Sequence, residues 1–105
     1  SINLTKKYLI KFKLKKLIKN LDKKYDGRYS LDGMLSGGEK QRISILRTIL
    51  LGGEILFFDE PTSSLDKINE QIVMKEFQKL KKYRIIIIST HKKELINQFD
   101  HIINL

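Results

Sequence analysis

Residues 55–66 read ILFFDEPTSSLD. Four apolar residues in a row are too few for a helix but suit a strand buried in a sheet. Asp59 and Glu60 follow without a break. A strand ending this way delivers two carboxylates to the carboxyl edge of a parallel sheet, where ligands bind in such sheets. One carboxylate there can hold a hydrated Mg²⁺, which keeps several waters and takes few protein ligands. The next, on the opposite side of the strand end, can orient or deprotonate a water. Taken alone, the two acids read better as polar caps leading a strand into a loop.

The flanking sequence supports the strand. Residues 67–82 carry Ile68, Ile72, Val73, Phe77 and Leu80 at helical spacing. RIIIIST, residues 84–90, is a β-branched run of the kind covered on both faces of a sheet. His91 follows it directly and is expected at the same sheet edge, where an imidazole can donate to a phosphate oxygen or fix a water. KKELINQF (92–99) reads as a short helix and HIINL (101–105) as a last strand. His101 lacks such a context and is taken as structural.

Upstream lies LSGGEKQR, Leu35 to Arg42. Ser36 with Glu39 three residues on is a capping-box pattern. The helix it opens shows Ile43, Leu46, Ile49 and Leu50 on one side, and Gly52-Gly53 ends it. Free N–H groups and a positive dipole end make such a terminus attractive to an anion. Gly37 and Gly38 leave it open, and Ser36 adds a hydroxyl. The plain alternative is a capped helix start with glycines for close packing. Residues 22–34 carry turn signals and read as a loop. Residues 5–21 place Ile10, Leu14, Leu17, Ile18 and Leu21 at helical spacing, although Ile10, Phe12 and Leu14 also alternate as a strand would. Helices alternating with strands predict an α/β fold with a parallel sheet and helical crossovers.

Composition narrows the classes. A chain of 105 residues holds one domain at most. It has no cysteine, hence no disulfide and no thiolate metal site. No apolar run reaches the roughly 18 residues needed to span a bilayer, and no signal-peptide pattern opens the chain. The net charge of +9 is lopsided: residues 1–30 hold ten Lys/Arg against Asp22 and Asp26, and the rest is near neutral. A basic arm can meet nucleic acid or anionic lipid. No stacking set of aromatics accompanies it, so a solvated helix face is the preferred reading and nucleic acid is not expected as a partner.

In their order, Leu35–Gln41, Ile55–Glu60, Ser63–Asp66 and His91 resemble the ATP-binding cassette family, the motor domain of ABC transporters. They are similar to its signature motif, Walker B strand, D-loop and H-loop. The resemblance covers residues 22–105, and LDKKYDGRYSLDGMLSGG looks like the run-in to the signature in exporter-type cassettes. It implies a partial P-loop NTPase-type parallel sheet with crossover helices, plus the end of a helical subdomain. Residues 1–34 would be that end and its run-in loop, and residues 35–105 the C-terminal part of the ATPase core. In the family two cassettes sandwich two ATP molecules head to tail. Carried over, Ser36, Gly37, Gly38 and Glu39 would grip an ATP held by the partner subunit. Asp59 would position Mg²⁺ through water, Glu60 would be the general base, and His91 would contact the γ-phosphate. Asp66 would couple the two sites. The implied partners are a second ATPase domain and a transmembrane domain or subunit, at the cytoplasmic face of the cell membrane.

Two departures stand out. Glu39 occupies a position where the family often has Gln, so this side chain cannot donate. No G-x-x-x-x-G-K-[ST] occurs in the chain. The expectation is therefore the C-terminal half of a cassette, processed or truncated, with about three strands. By itself it would bind ATP poorly, hydrolyse little or none, and be sticky at its strand edges. The alternatives are a non-transport ABC ATPase (SMC-like or a translation factor) and a non-catalytic remnant.

Overall fold

The computed structural model describes residues 2–18 and 35–105. In chain order they form helix α1 (Ile2–Lys11), a 3₁₀ turn (Lys15–Leu17), helix α2 (Gly37–Leu51), strand β1 (Ile55–Asp59), helix α3 (Lys67–Leu80), strand β2 (Ile85–Ser89) and a 3₁₀ segment (Lys93–Gln98). The predicted loop over 22–34 lies outside the described residues.

The centre is a β-α-β unit. β1 and β2 pair in parallel with Ile55 opposite Ile85 and Asp59 opposite Ser89. α3 is the crossover between them, and Asp66 caps it by accepting the Asn69 N–H at 2.8 Å. Val73, Met74 and Phe77 on α3 are buried with Leu56 and Phe58 of β1 and Ile45, Leu46 and Ile49 of α2. The Phe58 and Phe77 rings lie 4.6 Å apart. Ile68, expected on the buried face of α3, is exposed.

The α/β class and parallel sheet agree with the sequence reading, but three local expectations do not. The single helix over residues 5–21 is broken at Phe12–Leu14. Lys13 stands at φ 60°. Its N–H donates to the Ile10 carbonyl at 3.1 Å, and the Leu14 N–H donates to the Leu9 carbonyl at 2.7 Å. This is a Schellman stop with lysine in the left-handed position that usually holds glycine. It turns the chain so that Phe12 and Leu14 both enter the core, fully buried. The alternation of Ile10, Phe12 and Leu14 was the trace of that exit.

The last strand is absent: among the described residues the sheet has two strands, and residues 101–105 are irregular and exposed. A six-residue 3₁₀ segment advances only about 12 Å, less than the roughly 17 Å of a five-residue strand. Residues 98–100 are instead tied to the end of α3, where Gln78 donates to the Gln98 carbonyl and Lys81 pairs with Asp100.

Nor is the sheet covered on both faces. Leu56 and Phe58 point into the core, whereas Ile55, Phe57, Ile85 and Ile87 are exposed, Phe57 by 61%. With two strands, the helices described here cover one face only.

α2 ends for a reason of space. Gly52 has an extended backbone (φ −76°), not a left-handed one. A Cβ there would stand 2.3 Å from Leu56 Cδ2 and 2.5 Å from the Thr48 carbonyl oxygen. Arg84 reaches back from the start of β2 and donates to the Ile49 carbonyl at 2.8 Å, satisfying one orphan acceptor of the α2 terminus.

α1 is fastened by a buried carboxylate. Glu76 on α3 accepts from Tyr8 Oη at 3.0 Å and from Lys11 Nζ at 2.8 Å. Burial of Tyr8, then the Glu76 charge and hydrogen bond, push its pKa up to about 12. Because the folded value lies above the unfolded value of about 10, this contact stabilises fully below pH 10. It is lost as the pH rises towards 12. Phenolate absorbance should therefore contain a component near pH 12 that Tyr8→Phe removes. A Tyr8 that ionises near 10 would mean α1 does not dock this way.

Candidate functional site

The carboxyl ends of β1 and β2 bring three of the expected residues together. Asp59 ends β1 directly across from Ser89, whose hydroxyl donates to Asp59 Oδ1. Glu60 follows at φ 47°, a left-handed conformation that costs a non-glycine residue about 1–2 kcal/mol. Its backbone is held on both sides. The Glu60 N–H donates to the Ser89 carbonyl at 2.8 Å, and the Glu60 carbonyl accepts from Gln41 Nε2 at 3.0 Å. The reversal turns the Glu60 side chain out of the strand direction, towards the segment that follows β2. There His91 Nε2 lies 3.4 Å from Glu60 Oε1. The imidazole is 99% exposed and the carboxylate 31%, so both are open to a ligand.

The start of α2 forms the second part. Ser36 and Glu39 make the full capping box: Ser36 Oγ accepts from the Glu39 N–H, and Glu39 Oε1 accepts from the Ser36 N–H, both at 3.1 Å. Lys16 pairs with the other Glu39 oxygen at 2.6 Å. The Lys16 hydrogen bond first, and the Ser36 N–H second, hold the Glu39 carboxyl below its usual range. Both oxygens of Glu39 are thus engaged within the chain.

The two glycines have different neighbours. A Cβ on Gly38 would stand 3.0 Å from the Ser64 carbonyl oxygen, so this glycine is needed for packing against the 61–66 loop. A Cβ on Gly37 would meet only Ser64 Cβ at 4.0 Å. Gly37→Ala is expected to leave the melting temperature unchanged or slightly higher, since alanine favours a helix by up to about 1 kcal/mol. Gly38→Ala is expected to lower stability by about 1 kcal/mol, because a backbone oxygen must shift. Thermal denaturation of the pair checks this. If Gly37→Ala then weakens ligand binding, the cause is obstruction of the ligand and not misfolding.

Gln41 joins the two parts. Its Nε2 donates to the Glu60 carbonyl and to Ser63 Oγ, each at 3.0 Å, and its Oε1 accepts from the Ser64 N–H at 2.8 Å. An open groove of about 460 Å³ runs beside it, lined by Gly37, Gln41, Ser44, Phe57, Asp59 and Ser64. Asp66 spends one carboxylate oxygen on the α3 cap.

A buried ion pair underlies the loop. Glu70, 4% exposed, pairs with Lys92, which also donates to the Thr62 carbonyl at 2.8 Å. Lys92 therefore ties the segment after Glu60 to the segment carrying His91. Burial raises the Glu70 pKa, but hydrogen bonds from Lys92 and Thr62 outweigh it and the net shift is downward.

Sequence reasoning missed Gln41, Ser89 and the Lys92–Glu70 pair. Gln41 had a signal, since it lies one helical turn beyond Gly37 on the same face. Ser89 and Lys92 had none, because their partners are 30 and 22 residues away.

The donor set fits a hydrated Mg²⁺. Asp59 is exposed and its Oδ2 carries no hydrogen bond from the described residues. Among those residues no group of three or more His, Cys, Asp or Glu surrounds a common point to strip a cation of its water. Also among them, no helix is long and apolar enough to cross a membrane.

Comparison with known proteins agrees with the motif order. The profile of the ABC transporter family matches residues 5–63. A probable ABC transporter ATP-binding/permease protein of Haemophilus influenzae is 40% identical over 75 residues, 71% of this chain and 14% of that protein. The macrolide export ATP-binding/permease protein MacB of Campylobacter fetus is 38% identical over 105 residues, 99% of this chain and 15% of that protein. Among solved structures, a bacterial Atm1-family ABC exporter with ATP bound superposes with a TM-score of 0.65 and 33% identity, over 86% of this chain and 16% of that one. The chain spans about one-seventh of the length of the curated relatives it matches.

Proposed function

This chain belongs to the ABC transporter family, and we propose that it is part of an ATP-hydrolysing domain that powers movement of a substrate across a membrane. Residues 35–105 are the C-terminal part of the ATPase core in this reading, and residues 1–34 close a helical subdomain and lead into it. The observation that carries the reading is the Glu60 turn. A strained backbone at a strand end, held from both sides, presents an open carboxylate 3.4 Å from an open imidazole. Strain of this kind persists where the surroundings over-determine it, and functional sites are where it collects.

Phosphoryl transfer depends on positioning and charge neutralisation more than on covalent chemistry. Glu60 accepts the proton of a water as that water attacks the γ-phosphorus, and the bond to the ADP oxygen breaks. His91 donates to a γ-phosphate oxygen and keeps the Glu60 carboxylate turned towards the water. Asp59 holds a hydrated Mg²⁺, which when bound neutralises charge on the phosphate oxygens. Ser36 and the Gly37 and Gly38 N–H groups receive the γ-phosphate of an ATP held by a second ATPase domain. Glu39 acts there by fixing Ser36, and Asp66 relays between the two sites. The chain has no G-x-x-x-x-G-K-[ST] run, so the main phosphate cradle is supplied from outside these 105 residues. A transmembrane domain or subunit completes the machine, with the ATPase domain on the cytoplasmic side of the membrane. The relatives named as ATP-binding/permease proteins and the ATP-bound exporter support this assignment. The test is ATP turnover by the polypeptide that carries this chain, with Glu60→Gln beside it.

A further inference from the structure

Among the described residues of β2, Ser89 is the one that hydrogen-bonds both Asp59, which ends β1, and Glu60, which follows it. The parallel register sets it opposite Asp59. Its hydroxyl donates to Asp59 Oδ1, and its carbonyl accepts the Glu60 N–H at 2.8 Å. Among the described residues, Ser89 is the only hydrogen-bond donor to the Asp59 carboxylate. Asp59 is otherwise exposed at the strand end, where an unrestrained carboxylate samples several rotamers.

We infer that Ser89 is a positioning residue for cation binding: its hydroxyl ties Oδ1 of Asp59, which leaves Oδ2 as the oxygen that meets the hydrated divalent cation. The inference rests on the reading of Asp59 as the holder of that cation. A ligating carboxylate is oriented by its own hydrogen bonds, and loss of such a partner typically weakens metal binding 10–100-fold. The geometry also explains why the hydroxyl sits on β2 and not in a loop. A strand residue locked in register cannot drift, so the aim of Asp59 is tied to the pairing of the sheet. Its backbone carbonyl, bound to the Glu60 N–H, makes the same sheet pairing set the start of the Glu60 turn.

The experiment is Mn²⁺ binding, followed by electron paramagnetic resonance, to the polypeptide that carries this chain, with a non-hydrolysable ATP analogue present. Wild type is compared with Ser89→Ala, Ser89→Thr and Asp59→Asn, with the melting temperature of each. Ser89→Ala should raise the Mn²⁺ dissociation constant about tenfold at an unchanged melting temperature. Ser89→Thr, which keeps the hydroxyl, should bind within about threefold of wild type. If Asp59→Asn weakens Mn²⁺ binding and Ser89→Ala does not, the role of Ser89 is overturned while that of Asp59 stands. The role of Ser89 is also overturned if Ser89→Thr binds as weakly as Ser89→Ala. If Asp59→Asn leaves Mn²⁺ affinity unchanged, both assignments fail.

Discussion

Glu60→Gln is expected to lower ATP turnover by about 100-fold or more, the contribution typical of a positioned general base, with nucleotide binding retained. The reasoning is one of protons, not of shape. A carboxamide has the size of the carboxylate and can occupy the same place 3.4 Å from the His91 imidazole, but it cannot take the proton of the attacking water. The backbone contacts that hold residue 60 run through its own N–H and carbonyl, to Ser89 and Gln41. They do not involve the side chain, so the left-handed turn and the melting temperature should survive the substitution. Turnover and equilibrium nucleotide binding, measured side by side, separate the two effects. If Glu60→Gln turns over ATP at the wild-type rate, Glu60 is only the polar end of a strand, and the reaction takes its base from elsewhere.

The second large effect falls on stability. Lys92→Met removes the partner of a carboxylate that is 4% exposed. Breaking a buried pair from one side costs about 3–5 kcal/mol. Lys92 itself is 25% exposed, which admits some water, so a loss of about 3 kcal/mol is expected. The pH profile supplies a sharper signature than the loss itself. In the wild type the Glu70 pKa is depressed, so its contribution is present above the unfolded value of about 4.3 and is lost as the pH falls through the folded value. Without Lys92, burial, the largest single influence on Glu70, is opposed by the Thr62 hydrogen bond and the Lys67 charge alone, and the pKa is expected to rise. Relative to the wild type, the variant should then gain stability as the pH is lowered. Denaturant unfolding across pH 4–8 reads both slopes. Lys92→Met/Glu70→Leu should recover most of the loss, since an apolar pair of similar volume replaces the ions. A single variant whose pH slope matches the wild type would show that Glu70 is not held by Lys92.

Several parts of the site were legible because their signals are short in range. Ser36 and Glu39 form the expected capping box with partners three residues apart. Asp59 and Glu60 lie at the carboxyl edge because a run of apolar residues ended on them, and His91 lies beside Glu60 because another such run ended three residues before it. The break at Phe12–Leu14 was not legible as a stop. Lysine at position 13 carries no signature of left-handed backbone, and only the burial of both Phe12 and Leu14 makes its conformation favourable. HIINL reads as a strand by composition, yet it forms none, because its approach is tied to the end of α3.

What the sequence determined alone is the set of local elements and the chemical groups at their ends: a capped helix start open at Gly37, two carboxylates closing a strand, and an imidazole following the next one. These depend on hydrogen bonds and side-chain periodicities that span a few residues. Tertiary structure decided how the groups face one another. Glu60 meets His91 because a strained turn is held by Ser89 from β2 and Gln41 from α2. Asp59 is aimed by a hydroxyl 30 residues away, and the two loops are tied by Lys92 to a buried carboxylate. Each contact joins residues far apart in the chain, and its strength comes from burial and register that exist only once the sheet and helices have packed.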